Sequence, residues 1–142
     1  MKRELTLTDI AGYLDHPLLG QYPTGEICWI DVEFIAQHGI ALAGYKPVLR
    51  PMSDLYVEIT ERGYNDGKPF VPVKRLGKLL GSDYEDCLIL GCRIKYSPSE
   101  VWYSDMCAFF DLLHRLHFDY RGLISAGLSV SAHDLPTNPY EA

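Results

Sequence analysis

The segment SPSEVWYSDMCAFFDLLHRLHFD, residues 97–119, constrains the fold more than any other stretch. At 100° per residue, Trp102, Met106, Phe109, Leu113 and Leu116 fall within one narrow stripe. The spacing predicts a helix near 99–118. Ser97 or Ser99 is its expected cap, Pro98 suits the first turn, and Glu100 complements the helix dipole. Asp111 and Arg115 share the opposite face, where an i, i+4 ion pair is expected. A single apolar stripe on so long a helix has to be covered, so the remaining elements must pack onto it.

Those elements are short. In TLTDIAGYL, Leu7, Ile10, Ala11 and Leu14 follow the i, i+3, i+4, i+7 rule of one helical face. Thr6 and Asp9 form a capping-box pattern, and Pro17 ends the segment. QYPTG is then a turn. In EICWIDVEFIA, residues 26–36, the period becomes two, with Cys28, Ile30, Val32 and Phe34 on the inner side. A second strand at Ile40–Leu42 would complete a hairpin with it. Ser53 is placed to cap a helix burying Leu55, Ile59 and Tyr56. YNDGKP reads as a turn with Gly67 at positive φ.

FVPVKRLGKLLG predicts a helix with Pro72 in its first turn, Val73, Leu76 and Leu80 inward, and Gly81 at its end. SDYED is an acidic loop. CLILGCRIKY, residues 87–96, reads as one strand with Leu88, Leu90, Cys92 and Ile94 on one side. The tail holds a helical turn ended by Gly127 and a strand at Leu128–Val130. No repeat or linker divides the chain. Residues 1–142 therefore read as one α+β domain, a short antiparallel sheet packed with about four helices.

At 142 residues such a domain can bury a core without staples. A net charge of −6 argues against general affinity for nucleic acid or an anionic membrane. No apolar run approaches the roughly 18 residues of a membrane helix. MKRELTLTDI has no apolar signal region, which makes the cytoplasm the expected location. There the four cysteines are reduced thiols. Cys87 and Cys92 have no second closely spaced pair to complete a zinc site, and Cys28 and Cys107 lie in apolar segments, where cysteine behaves as a small hydrophobe.

The residues with the most chemistry are His114 and His117 on the long helix. The zincin pattern needs histidines four apart around a glutamate, whereas these are three apart with Arg115 between them. Cys107 is seven residues before His114, about 10 Å along the axis, too far to share a metal. Further ligands would have to come from Cys28, His38, His133 or Asp134. The expectation is packed or helix-capping histidines and no metal or other cofactor. His117 is expected between the long helix and the GLISAGL tail. GYNDGKP lacks the spacing of a phosphate loop, and GLSVS ends in Ser131 where a nucleophile elbow needs glycine. No catalytic residue is assigned. Lys74, Arg75 and Lys78 read as a solvated helix face.

LTLTDIAGYL at 5–14, YKPVLRPMSDL at 45–55 with FVPV at 70–73, and HFDYRGLISAGLSV at 117–130 resemble, in order and spacing, small proteins without assigned activity encoded in phage, prophage and mobile regions of gut bacteria. The shared patterns are KPxLRPxSDL, FVP and HFDxxGLIxxGL. The resemblance implies a context, an intracellular accessory protein of a mobile element, and no site. Within these motifs Lys46, Arg50 and Asp54 are hardest to explain by packing; Arg50 with Asp54 is expected as a structural ion pair. With His114, His117 and Asp119 they make up the candidate functional surface. Ten tyrosines suit an interface. The leading expectation is thus a non-enzymatic interaction or accessory protein with a protein partner or self-association. A nucleic-acid-associated regulator, using Lys74, Arg75 and Lys78, comes second, and a small metal-dependent or hydrolytic enzyme third.

Overall fold

A computed structural model describes residues 4–38, 44–79, 87–90, 93–96 and 103–141. Its centre is a four-stranded sheet ordered β2-β1-β3-β6, made of β1 (Leu18–Gln21), β2 (Ile27–Ile30), β3 (Lys46–Leu49) and β6 (Val130–Ser131). β1 runs antiparallel to β2, with Leu19 opposite Trp29, and to β3, with Gly20 opposite Pro47. β6 joins β3 in parallel, Val48 opposite Val130. The domain is α+β, and this last pairing makes the sheet mixed. Gly20 has a packing reason: a Cβ there would lie 2.4 Å from the Ile30 side chain, which covers the strand at that point.

The first helix, α1 (Leu7–Ile10), carries the expected capping box. Both the Thr6 amide and its hydroxyl donate to Asp9 Oδ2, at 2.9 and 3.0 Å. Its buried face differs from expectation. From Ala11 to Asp15 the chain tightens into a 3₁₀ turn, whose three-residue period carries Ile10 and Tyr13 inward. Leu7 and Ala11 are left exposed. The strand expected over 26–36 also stops early. Asp31 Oδ1 accepts from the Phe34 amide at 2.7 Å, and α2 (Val32–His38) begins there, leaving Val32 exposed. β2 pairs with β1, across the YPTG turn. Residues 40–42 lie outside the described residues.

Between β3 and the next helix the chain is compact but irregular. Met52–Tyr56 form a 3₁₀ helix rather than an α-helix, entered from Pro51, so Ser53 is inside it and not its cap. Leu55 is buried while Tyr56 is exposed, and Ile59 exchanges backbone hydrogen bonds with Phe70. Asn65, Asp66 and Gly67 all take positive φ in the expected turn. α3 (Pro72–Leu79) buries Val73 and Leu76 as its pattern requires. Leu80, Gly81 and the acidic loop fall outside the described residues. The single strand expected over 87–96 is a hairpin, β4 (Cys87–Leu90) against β5 (Arg93–Tyr96). Alternation runs through both strands, so periodicity alone does not separate them.

The long helix, α4, spans Tyr103–Arg115. Its expected caps at 97–100 and Trp102 lie outside the described residues. Phe109, Leu113 and Leu116 of the stripe are fully buried and pack with Leu55, Phe70, Leu76 and Phe118. A second cluster joins Ile10, Tyr13, Leu18, Ile30, Leu49 and Leu123 beneath the sheet. Cys107 is exposed, contrary to expectation, because it faces away from the stripe; Cys28 is half-buried. Gly127 ends the tail turn at φ +75°, and the last strand begins at Val130 rather than Leu128. No described helix is long and apolar enough to cross a membrane.

Candidate functional site

α4 ends in a way that fixes His117. The Phe118 amide bonds back to the Leu113 carbonyl at 3.0 Å and the His117 amide to the His114 carbonyl at 3.1 Å. These are the two bonds of a Schellman motif, in which the residue after the helix takes a left-handed conformation. Here that residue is His117, at φ +63°, where glycine is usual. A histidine tolerates the position when its side chain is strongly held. Its ring stacks on Tyr140, with centroids 3.7 Å apart and planes 9° from parallel. Its Nε2 is 2.6 Å from the Pro17 carbonyl, which can only accept, so Nε2 carries a hydrogen. The expected position against the GLISAGL tail is therefore corrected: the ring packs on Pro17 and on the C-terminal Tyr140.

Beside it is a buried charge cluster. Arg50 follows β3 and has no exposed surface. Its Nη2 donates to Glu61 Oε2 at 2.6 Å and to the Thr60 carbonyl at 2.9 Å. Glu61 Oε1 lies 3.3 Å from Arg115 Nη1 and 3.1 Å from His117 Nδ1. The contact to Nδ1 is close but does not meet hydrogen-bond geometry, and Nδ1 is left without a hydrogen-bond partner, as are Arg50 Nε and Nη1. One buried carboxylate thus serves two guanidinium groups, leaving the cluster with excess positive charge. Removing such charges from water is costly, and the arrangement is tenable because each partner compensates the others.

Two sequence-based ion pairs are overturned here. Arg50 turns to Glu61, while Asp54 accepts from His133 Nε2, at 2.7 and 2.9 Å to its two oxygens. Arg115 does not lie along its own helix toward Asp111; it reaches Glu61 and the Gly63 carbonyl, the latter at 3.0 Å from Nη2. In each case a partner distant in the sequence is better placed than the local one.

The other candidates separate. His114 Nε2 meets the Tyr120 hydroxyl at 2.6 Å, and its ring sits edge-on to Tyr13. Burial pushes the His114 pKa down, with His16 and Arg121 reinforcing and Asp111 and Asp15 opposing. Gly12 makes room for the ring, since a Cβ there would stand 2.3 Å from it. Tyr13 hydrogen-bonds the Phe118 carbonyl, and burial raises its pKa strongly. Asp119 accepts from the amides of Leu123 and Ile124, at 2.8 and 2.9 Å, and so caps the tail turn. Lys46 is exposed on β3 opposite Gln21. The six candidates do not converge: Arg50 and His117 meet at Glu61, Asp54, His114 and Asp119 have separate structural contacts, and Lys46 is exposed.

The residues missed by sequence reasoning complete the site. A cavity of about 140 Å³ opens beside His117, bounded by Trp29, Pro17, Glu61, Arg62, Arg115, Pro139 and Tyr140. Tyr140 is anchored by its hydroxyl, which accepts from the Leu19 amide at 2.9 Å and donates to the Val48 carbonyl at 2.8 Å. Those strand groups are next in the β1–β3 register, so the tail tyrosine occupies the place of a ladder bond. Burial raises its pKa. The two prolines before Tyr140 were the available signal, and they marked only an irregular end. Among the described residues, no group of three or more His, Cys, Asp or Glu could hold a metal ion. Comparison with protein-family models, curated proteins and solved structures finds no match to the chain.

Proposed function

We propose that this chain is a non-enzymatic interaction protein that takes an extended segment of a partner protein along β2, working as a cytoplasmic accessory factor of a phage or mobile element. The observation that carries the reading is Trp29. It is 58% exposed on β2, which among the described residues ends the four-stranded sheet, with Ile27 exposed two residues before it on the same face. A terminal strand offers backbone groups to an added strand, and an exposed indole offers an anchor. Covering the rest of that side chain, on the order of 100 Å², stabilises a complex by roughly 2–4 kcal/mol. Next to it, the cavity is large enough for a small side chain and has Arg62 on its wall. The structural commitment of Arg50, His114, His117 and Asp119 supports a binding role over a catalytic one.

Selection of displayed extended peptides on the full-length protein tests this, with sedimentation velocity to read self-association. Bound peptides, or a dimer, should lose tenfold or more in affinity on Trp29→Ala while the fold is retained. Ligands that bind Trp29→Ala as tightly as the native chain would overturn the proposal.

A further inference from the structure

The basic residues of α3 have a structural context that their sequence did not suggest. A groove of about 460 Å³ lies between α3, α4 and the turn at 63–67. Arg75 and Lys78, three apart on α3, form one wall, and Arg115 at the end of α4 stands opposite with His16 beside it. Lys74 does not line it. Among the described residues, Asp111 is the single carboxylate in this lining. Three cations facing one acid is a local reversal in a chain of net charge −6.

The two arginines are held in place. Arg75 Nη2 donates to Asn65 Oδ1 at 2.9 Å, and its guanidinium lies over the Phe70 ring at 5.9 Å. Arg115 is fixed by the Gly63 carbonyl and lies over Tyr64 at 5.8 Å. Glu61, behind Arg115, is already shared with Arg50, so it offsets the Arg115 charge only in part. Among its described lining residues the groove therefore carries an excess of up to about two positive charges, which matches a phosphate monoester at pH 7 better than a single carboxylate. Arginine supplies the fork that fits phosphate oxygens and lysine a mobile point charge. The volume falls within the roughly 300–1,000 Å³ of small-molecule sites and exceeds what a bare phosphate fills. Leu112 and Tyr64 add an apolar floor and an aromatic face for an organic body.

We propose that this groove binds a phosphate monoester of mononucleotide size, with the phosphate between Arg75 and Lys78 and the organic portion toward Leu112 and Tyr64. The ester can belong to a free nucleotide or to the phosphorylated end of a nucleic-acid strand, and the same groove chemistry serves both. The proposal is independent of the β2 surface.

Titration calorimetry on the full chain, at low and at physiological salt, tests it with four probes: adenosine 5′-monophosphate, adenosine, inorganic phosphate and a 5′-phosphorylated oligothymidine. The monophosphate should bind one to one, at least tenfold tighter than adenosine or inorganic phosphate. Lys78→Gln and Arg75→Gln change exposed residues and should each weaken it tenfold or more with thermal stability retained. A phosphorylated oligonucleotide that binds tighter still, and is weakened by the same variants, supports the site and identifies a strand end as the source. Absence of saturable monophosphate binding, inorganic phosphate binding equally well, or binding unchanged in Lys78→Gln would overturn it.

Discussion

His117 offers the sharpest test of how the structure is held, because two effects of opposite sign meet at one residue. Replacing it with alanine removes the hydrogen bond to the Pro17 carbonyl and the stack on Tyr140. Leaving a buried acceptor unpaired costs about 1–3 kcal/mol, and a lost ring stack about 0.5–1.5 kcal/mol. His117→Ala should therefore destabilise by roughly 2–4 kcal/mol. Alanine keeps the positive φ of +63° and its strain. Glycine loses the same contacts but relieves that strain, worth roughly 1–2 kcal/mol for an L-residue in the left-handed region. The Gly variant should accordingly be more stable than the Ala variant by about 1 kcal/mol, an inversion of the usual order. Urea unfolding followed by circular dichroism measures both, since a chain of this size is suited to two-state treatment. If His117→Gly is no more stable than His117→Ala, the Schellman assignment at the end of α4 is wrong. If His117→Ala costs less than about 0.5 kcal/mol, the Pro17 and Tyr140 contacts do not hold the junction.

Gly12→Ala would place a methyl 2.3 Å from the His114 ring, so it should destabilise by about 1–3 kcal/mol despite alanine's better helix propensity; a raised melting temperature would refute the contact. Glu61→Gln leaves Arg50 and Arg115 without their shared carboxylate and should cost about 3–5 kcal/mol, much of it regained when Arg50→Met is added; urea midpoints of the single and double variants, showing strictly additive losses, would argue against a coupled cluster. Burial lowers the His114 pKa from 6.5, so the unfolded ring binds a proton at higher pH than the folded ring. The stability linked to this ring is complete above pH 6.5 and is lost as pH falls toward the folded pKa; unfolding midpoints across that range should show a slope that His114→Gln reduces, and an unchanged slope would count against it.

What the chain determined by itself is what neighbouring residues settle among themselves. Thr6 and Asp9 are three apart and cap α1 as their types require. Pro72, Val73 and Leu76 specify α3, and Phe109, Leu113 and Leu116 orient α4 toward the core. Asn65–Gly67 turn because their backbone tolerates positive φ. Each of these follows from the geometry of one or two helical turns, which the order of residue types records directly.

Tertiary structure decided the rest, wherever two options were locally close in energy. Leu7 and Ala11 fit an apolar α-helical stripe, yet packing of Ile10 and Tyr13 against the sheet side favoured the tighter 3₁₀ turn. Arg50 had Asp54 one helical turn away, and Arg115 had Asp111, but an exposed local ion pair is worth only a few tenths of a kcal/mol. A buried guanidinium without a counter-charge costs far more, so Arg50 and Arg115 converge on Glu61, which no spacing rule connects to both. Trp29, Tyr140 and Pro17 come together from the beginning and the end of the chain, and their cavity exists only after the sheet has formed. Likewise the groove of Arg75, Lys78, Arg115 and His16 draws on three separate segments. Sites of this kind are properties of long-range packing, which local periodicity does not encode.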